Sequence, residues 1–192
     1  MIRVLAAAFL VLAVAPVFAQ VEWIEYLNRQ DRFVVNLPGP PTVRETMYEP
    51  QRGDKIPARV YTVEDGPRRY SVTVIDMTSF KEPSDVRGSI AWEAWNFRKR
   101  GGQVTYDAYS QIDRIEGHHI HIVNPDKSLT YAGIYLQSRR LYVLEATVPA
   151  SSPGGAMLFQ QSIQILDENG ERIRYELDAD GNKVRRIPYT RR

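Results

Sequence analysis

The strongest constraint on this chain is a succession of short alternating stretches separated by turn chemistry. Tyr70-Ser71-Val72-Thr73-Val74-Ile75-Asp76 is the clearest. Tyr70, Val72 and Val74 fall on one side of an extended backbone, and Ser71 and Thr73 on the other. Ile56 to Val63 alternates in the same way, and Asp65-Gly66-Pro67 separates the two runs. Such a pair around a short Asp-Gly segment predicts an antiparallel hairpin over 56–64 and 69–77. Phe33–Leu37, ended by Pro38-Gly39-Pro40-Pro41, and the weaker Thr42–Tyr48 read as further strands. A second β block follows at Val104–Ile112, His118–Val123, Leu129–Leu136 and Leu141–Val148. Its turns fall at Asn124-Pro125-Asp126 and Gln137-Ser138-Arg139-Arg140.

Two segments read as helices. From Ser84 to Gly101-Gly102, Val86, Ile90, Ala94 and Phe97 recur at helical spacing, and Ala91 widens the stripe. Ser84 or Asp85 can accept the free N–H groups of the first turn. Arg98, Lys99 and Arg100 close it where the macrodipole favours cations. Trp92 and Trp95 flank the stripe, as expected of a helix packed on a sheet. The second helix is predicted from Ser152-Pro153 to about Leu166, burying Met157, Leu158, Ile163 and Leu166. Gly154 and Gly155 weaken its first turn. Beyond Asn169-Gly170, Arg172–Leu177 and Lys183–Ile187 alternate around Asp180-Gly181-Asn182, which predicts a terminal hairpin. Runs of strands followed by helices predict an α+β class: a largely antiparallel sheet covered by two helices, with a C-terminal β-hairpin.

The N-terminus carries an address. Met1-Ile2-Arg3 is followed by an uncharged stretch, Val4 to Phe18, and by Val17-Phe18-Ala19 with small residues at the positions a signal peptidase reads. A spanning helix needs about twenty apolar residues, and this run is shorter. Residues 1–19 are therefore expected to be a cleaved signal peptide, and residues 20–192 a single α+β domain, with 170–192 as a hairpin extension. The expected location is periplasmic or secreted, with no membrane span after signal cleavage. The chain has no cysteine, so packing alone must hold it, and thiol catalysis and thiolate zinc sites are excluded. A formal net charge of +2 gives no sequence-independent attraction to nucleic acid, and no nucleic-acid partner is expected.

The histidines form one cluster, His118-His119-Ile120-His121. On a strand, His119 and His121 share a face, and His118 joins Ile120 and Ile122 on the other. Paired imidazoles on one strand face can ligate zinc or copper, so His119 and His121 are the candidate metal ligands. A third ligand is needed, and Asp107, Asp113, Glu116 and Asp126 lie near in sequence without diagnostic spacing. Without it, the pair is a solvated strand face. Asp178-Ala179-Asp180-Gly181-Asn182 departs from the EF-hand, which places glycine sixth and glutamate twelfth. A tight turn explains it. Lys183, Arg185, Arg186, Arg191 and Arg192 gather at the end, diluted by Glu171, Glu176, Asp178 and Asp180. There is no G-x-S-x-G elbow and no phosphate-binding glycine loop.

Three stretches carry a resemblance. They are Arg32-Phe33-Val34-Val35-Asn36-Leu37-Pro38-Gly39-Pro40-Pro41, the strand Tyr70 to Asp76, and Phe159-Gln160-Gln161-Ser162-Ile163-Gln164-Ile165-Leu166. Over about residues 30–166 the chain resembles small exported bacterial proteins of the PsbP-like fold, an antiparallel sheet covered by helices. The resemblance implies an accessory or binding role and supplies no catalytic set. The expected function is thus a non-enzymatic exported protein that takes an envelope protein partner or a small ligand on one face of its sheet, with no cofactor. The alternatives are a periplasmic metal-binding protein using His119 and His121, and a hydrolase-like enzyme with an unrecognised site.

Overall fold

The computed structural model describes residues 22–80 and 83–186. The expected signal peptide and the last residues of the expected terminal hairpin lie outside them. In chain order the elements are β1 (Ile24–Asn28), β2 (Phe33–Leu37), β3 (Thr42–Tyr48), β4 (Ile56–Asp65), β5 (Arg68–Asp76), α1 (Pro83–Lys99), β6 (Gln103–Ile112), β7 (Ile115–Val123), β8 (Leu129–Gln137), β9 (Arg140–Val148), α2 (Ala156–Gln160), β10 (Gln164–Ile165), β11 (Tyr175–Leu177) and β12 (Lys183–Arg185).

Seven strands form one antiparallel sheet in the order β3-β4-β5-β9-β8-β7-β6. The predicted β4–β5 hairpin forms in register, Asp65 opposite Arg68 and Val63 opposite Tyr70, around Gly66 at φ 58°. Glycine suits the positive φ that a two-residue hairpin turn requires. The turns at Asp113-Arg114 and Ser138-Arg139 also join their strands through two residues, here non-glycine and all four at positive φ. These two-residue turns match the right-handed twist of the strands they join.

Both faces of this sheet are buried. On one, Tyr70, Val72, Tyr142, Leu144 and Ala146 pack against Phe33, Val35 and Leu37 of β2, Phe159 of α2, and Ile163 and Ile165. On the other, Ile75, Leu141, Val143, Ile120 and Ile134 pack against Val86, Ala94 and Phe97 of α1. Each of the Val, Leu, Ile and Phe side chains among these withdraws roughly 1.5–3 kcal/mol worth of apolar surface from water. Double coverage also explains why Ser71, on the side expected to be polar, is 6% exposed.

The fold class differs from the α+β expectation. The described residues are mostly β, with helices of only 17 and 5 residues among them. One helix covers one face, and the other face is covered mainly by a small sheet, β1-β2-β10. The predicted second helix stops at Gln160. Its N-cap is Gly155 at φ 84°, with no side-chain cap bond, and Met157 and Leu158 are 52% and 77% exposed. Beyond it, Gln164 and Ile165 pair with Val34 and Phe33 of β2. A short helix gains little by itself, whereas strand pairing satisfies the backbone and buries Ile163 and Ile165. The terminal hairpin does form, Glu176 opposite Val184. Asp178 bonds the backbone N–H of Asp180 at 3.0 Å and of Asn182 at 2.8 Å across its turn.

Two strand glycines permit close approaches, one between layers and one within the main sheet. A Cβ on Gly133 would lie 2.8 Å from the Gln160 carbonyl oxygen, so α2 can approach β8. A Cβ on Gly117 would lie 2.5 Å from both the Ile134 carbonyl oxygen and the Tyr135 ring.

Candidate functional site

The histidines alternate across β7 as expected, but they are not a solvated face. His119 is 8% exposed. Its Nε2 lies 2.6 Å from the Tyr135 hydroxyl and 3.2 Å from Ser110 Oγ, with the Tyr135 ring edge-on. Burial, and then the neighbouring His121 and His118, push the His119 imidazole down to about 4, so the ring is neutral at pH 7. The Ser110–His119 contact lacks the orienting acid of a hydrolytic triad: among the described residues no carboxylate bonds the second ring nitrogen.

His121 sits on the same side, its Nε2 3.0 Å from Gln160 Oε1. Its ring stacks on Tyr106 at 4.8 Å and tilts against Tyr131 at 4.6 Å. His118 points the other way, its Nε2 2.5 Å from Asp107 Oδ1. Arg98 clasps the same carboxylate at 2.6 and 2.8 Å. These Arg98 bonds, followed by the His118 bond, hold the Asp107 carboxyl down to about 2. Asp113 pairs with Arg172 at 2.6 Å, and Asp126 accepts from Ser128. Among the described residues no group of three or more His, Cys, Asp or Glu side chains is placed to hold a metal ion.

A second polar cluster joins the two sheets. Asp31, in the turn after β1, is fully buried. It accepts from Arg59 Nε at 2.7 Å, from a second Arg59 nitrogen and from the Tyr61 hydroxyl. The Tyr142 hydroxyl donates to the Asp31 carbonyl at 3.0 Å. The bond to Asp31 raises the Arg59 guanidinium further, and burial raises the Tyr61 phenol. Every charged group here has a partner, so the cluster is a fastening between layers.

The third place is concave. Between α1 and the β3–β4 segment lies a cleft of about 200 Å³, lined by Tyr48, Met77, Phe80 and Trp92 with Arg52 and Ser89 at its polar side. Trp92 Nε1 donates to the Glu49 carbonyl at 3.2 Å and ties the helix to the strand end. Below, the Tyr48 hydroxyl donates to Glu93 Oε2 at 3.1 Å, and Asn96 bonds the same oxygen at 3.4 Å. Burial raises the Glu93 carboxyl. It also raises the Tyr48 phenol, with Glu93 adding to the effect. Trp92 stacks on Trp95 at 4.7 Å, and Lys99 Nζ lies 3.8 Å over the Trp95 ring. Trp95 is 41% exposed. The arrangement is an aromatic recess with one cation, Arg52, in its wall. Sequence reasoning missed it because its walls come from β3, the loop after it, the segment after β5 and α1. The one signal was Trp92, set beside the apolar stripe.

These features define a class by architecture: an antiparallel sheet protein with one long helix on one face and a small sheet on the other. No protein-family model and no curated protein sequence matches the chain. Among solved structures, it is similar to cyanobacterial PsbP (CyanoP) from Synechocystis sp. PCC 6803, with a TM-score of 0.51 over 80% of this chain and 98% of that one. Identity is 10%, so the likeness is one of fold. A DUF4853-family protein from Actinomyces odontolyticus aligns over 80% of this chain and 75% of its own, at 15% identity and a TM-score of 0.24. Among the described residues, no helix is long and apolar enough to cross a membrane.

Proposed function

We propose that this is an exported, non-enzymatic binding protein that holds a partner protein of the cell envelope through the recess between α1 and β3. The cleft carries the reading: Tyr48, Met77, Phe80 and Trp92 converge on one concavity beside exposed Trp95. Aromatic residues, Met and Arg are enriched at protein interfaces, and a small central pocket suits one apolar anchor side chain. Arg52 in the cleft wall, with Lys99 further along α1 over Trp95, favours an anchor carried by an acidic segment. Export rests on the signal pattern of residues 1–19. The PsbP-like fold supports the reading only as architecture.

The test is affinity capture of the tagged protein from its own cell envelope, in parallel with Trp92→Ala and Arg52→Glu. A partner retained by the native protein and lost from both folded variants supports the recess. Capture that ignores both substitutions ends the reading.

A second reading keeps His119 and His121 as a metal pair, because both project from one face of β7. Zinc or copper titration followed through the histidine resonances tests it. Saturable shifts in the native protein, with metal affinity lost from His119→Ala/His121→Ala by equilibrium binding, support it, and unshifted resonances in the native protein remove it.

A further inference from the structure

We propose that the protein pairs with a second copy of itself along strand β6, about a two-fold axis at Tyr109. β6 is the last strand of the seven-stranded sheet, and among the described residues its outer edge is unpaired. Soluble proteins blunt such edges with shortness, charge or proline. The opposite edge does so: β3 has 7 residues, lies between Pro41 and Pro50, and exposes Arg44 and Glu45. β6 has 10 residues. Its one charge, Asp107, is already clasped by Arg98 and His118 of the same chain. Val104, Tyr106 and Tyr109 stand exposed along it, Tyr109 at 67%.

The strand is self-complementary. A register shift between Val104 and Tyr106 leaves Tyr106–Ile112 as the regular stretch. Centred on Tyr109, an antiparallel copy sets Tyr109 opposite Tyr109, Ala108 opposite Ser110, Asp107 opposite Gln111, and Tyr106 opposite Ile112. Directly opposed residues of an antiparallel pair share a face, and aromatic–aromatic and aromatic–β-branched pairs stabilise such neighbours. No like charges meet. This fit selects a second copy over an unrelated strand, which would share only the backbone bonds. The symmetry is isologous, the commonest in homodimers. It would bring two Tyr106–His121–Tyr131 rows onto one side of a continuous sheet.

The absence of cysteine supplies a direct test. Tyr109→Cys places one thiol at the proposed axis, and Val43→Cys places one on the opposite edge. Mild oxidation should link Tyr109→Cys into a dimer at least about tenfold faster than Val43→Cys, with partners opposed as across a strand pair. Sedimentation equilibrium of the unmodified protein should show a dimer. Tyr109→Lys, exposed and tolerant of charge, should keep the circular dichroism spectrum and weaken association by about tenfold. A monomeric mass at every concentration overturns the proposal. So does a dimer that Tyr109→Lys leaves intact, or faster linkage through Val43→Cys.

Discussion

His119 Nε2 lies 2.6 Å from the Tyr135 hydroxyl, and the Tyr135 ring fits there because position 117 is glycine. The pair makes stability depend on acidity. In the fold the imidazole is pushed down to about 4, below its ordinary value of 6.5. The unfolded chain therefore takes the proton first. The stability from keeping the ring neutral is fully present above pH 6.5 and is lost as pH falls through 4, by roughly 3 kcal/mol in total. Urea unfolding between pH 7 and 4 should show that loss, and His119→Gln should flatten it. A His119 resonance that titrates near 6.5 contradicts this account.

Glu93 has the opposite sign. Burial raises its carboxyl above the ordinary value, so the folded state holds the proton to higher pH than the unfolded chain. That contribution is present below the unfolded carboxylate range and is lost as pH rises through the folded value. Glu93→Gln should remove this dependence while the new amide oxygen still accepts the Tyr48 hydroxyl. Equal slopes of stability against pH for the two proteins would reject it. Tyr48→Phe should destabilise by about 1–3 kcal/mol at pH 7, because it takes a donor from a buried carboxylate.

Two glycine substitutions should move stability in opposite directions. Gly117→Ala drives a Cβ into the Ile134 carbonyl oxygen and the Tyr135 ring, at a cost of about 1–3 kcal/mol. Gly88 lies inside α1 with open space where its Cβ would stand. Gly88→Ala should stabilise by roughly 0.5–1 kcal/mol. Thermal unfolding of the two variants compares them directly, and a stabilised Gly117→Ala would show that β7 and β8 are not packed this closely.

Asp31→Asn should cost about 3 kcal/mol, since it leaves Arg59 beside a neutral amide at the junction of the sheets. Arg59→Met with Asp31→Asn should recover part of the loss, because the uncompensated charge is then gone. Denaturant midpoints of the native protein, Asp31→Asn, Arg59→Met and the double variant measure the coupling. Strict additivity would mean that the bond does not fasten the layers.

Much of the main sheet was legible because its signals are local. Tyr70 to Asp76 alternates on its own, Asp65-Gly66-Pro67 marks its own turn, and Val86, Ile90, Ala94 and Phe97 mark their own helix. The alternation of His119 and His121 against His118 followed from strand geometry alone. The second helix failed for a physical reason. Met157, Leu158, Ile163 and Leu166 fit a helical stripe, but Gln164 and Ile165 lie beside Val34 and Phe33, far away in sequence, and that pairing outweighs local propensity. By itself, then, the sequence determined the strand periods, the turns, the long helix and the cysteine-free reliance on packing. Only the tertiary structure decided that a small sheet covers the second face, that His119 is buried and neutral, and that Tyr48, Phe80 and Trp92 meet in one recess. Those outcomes depend on contacts between distant segments, and no window of neighbouring residues encodes them.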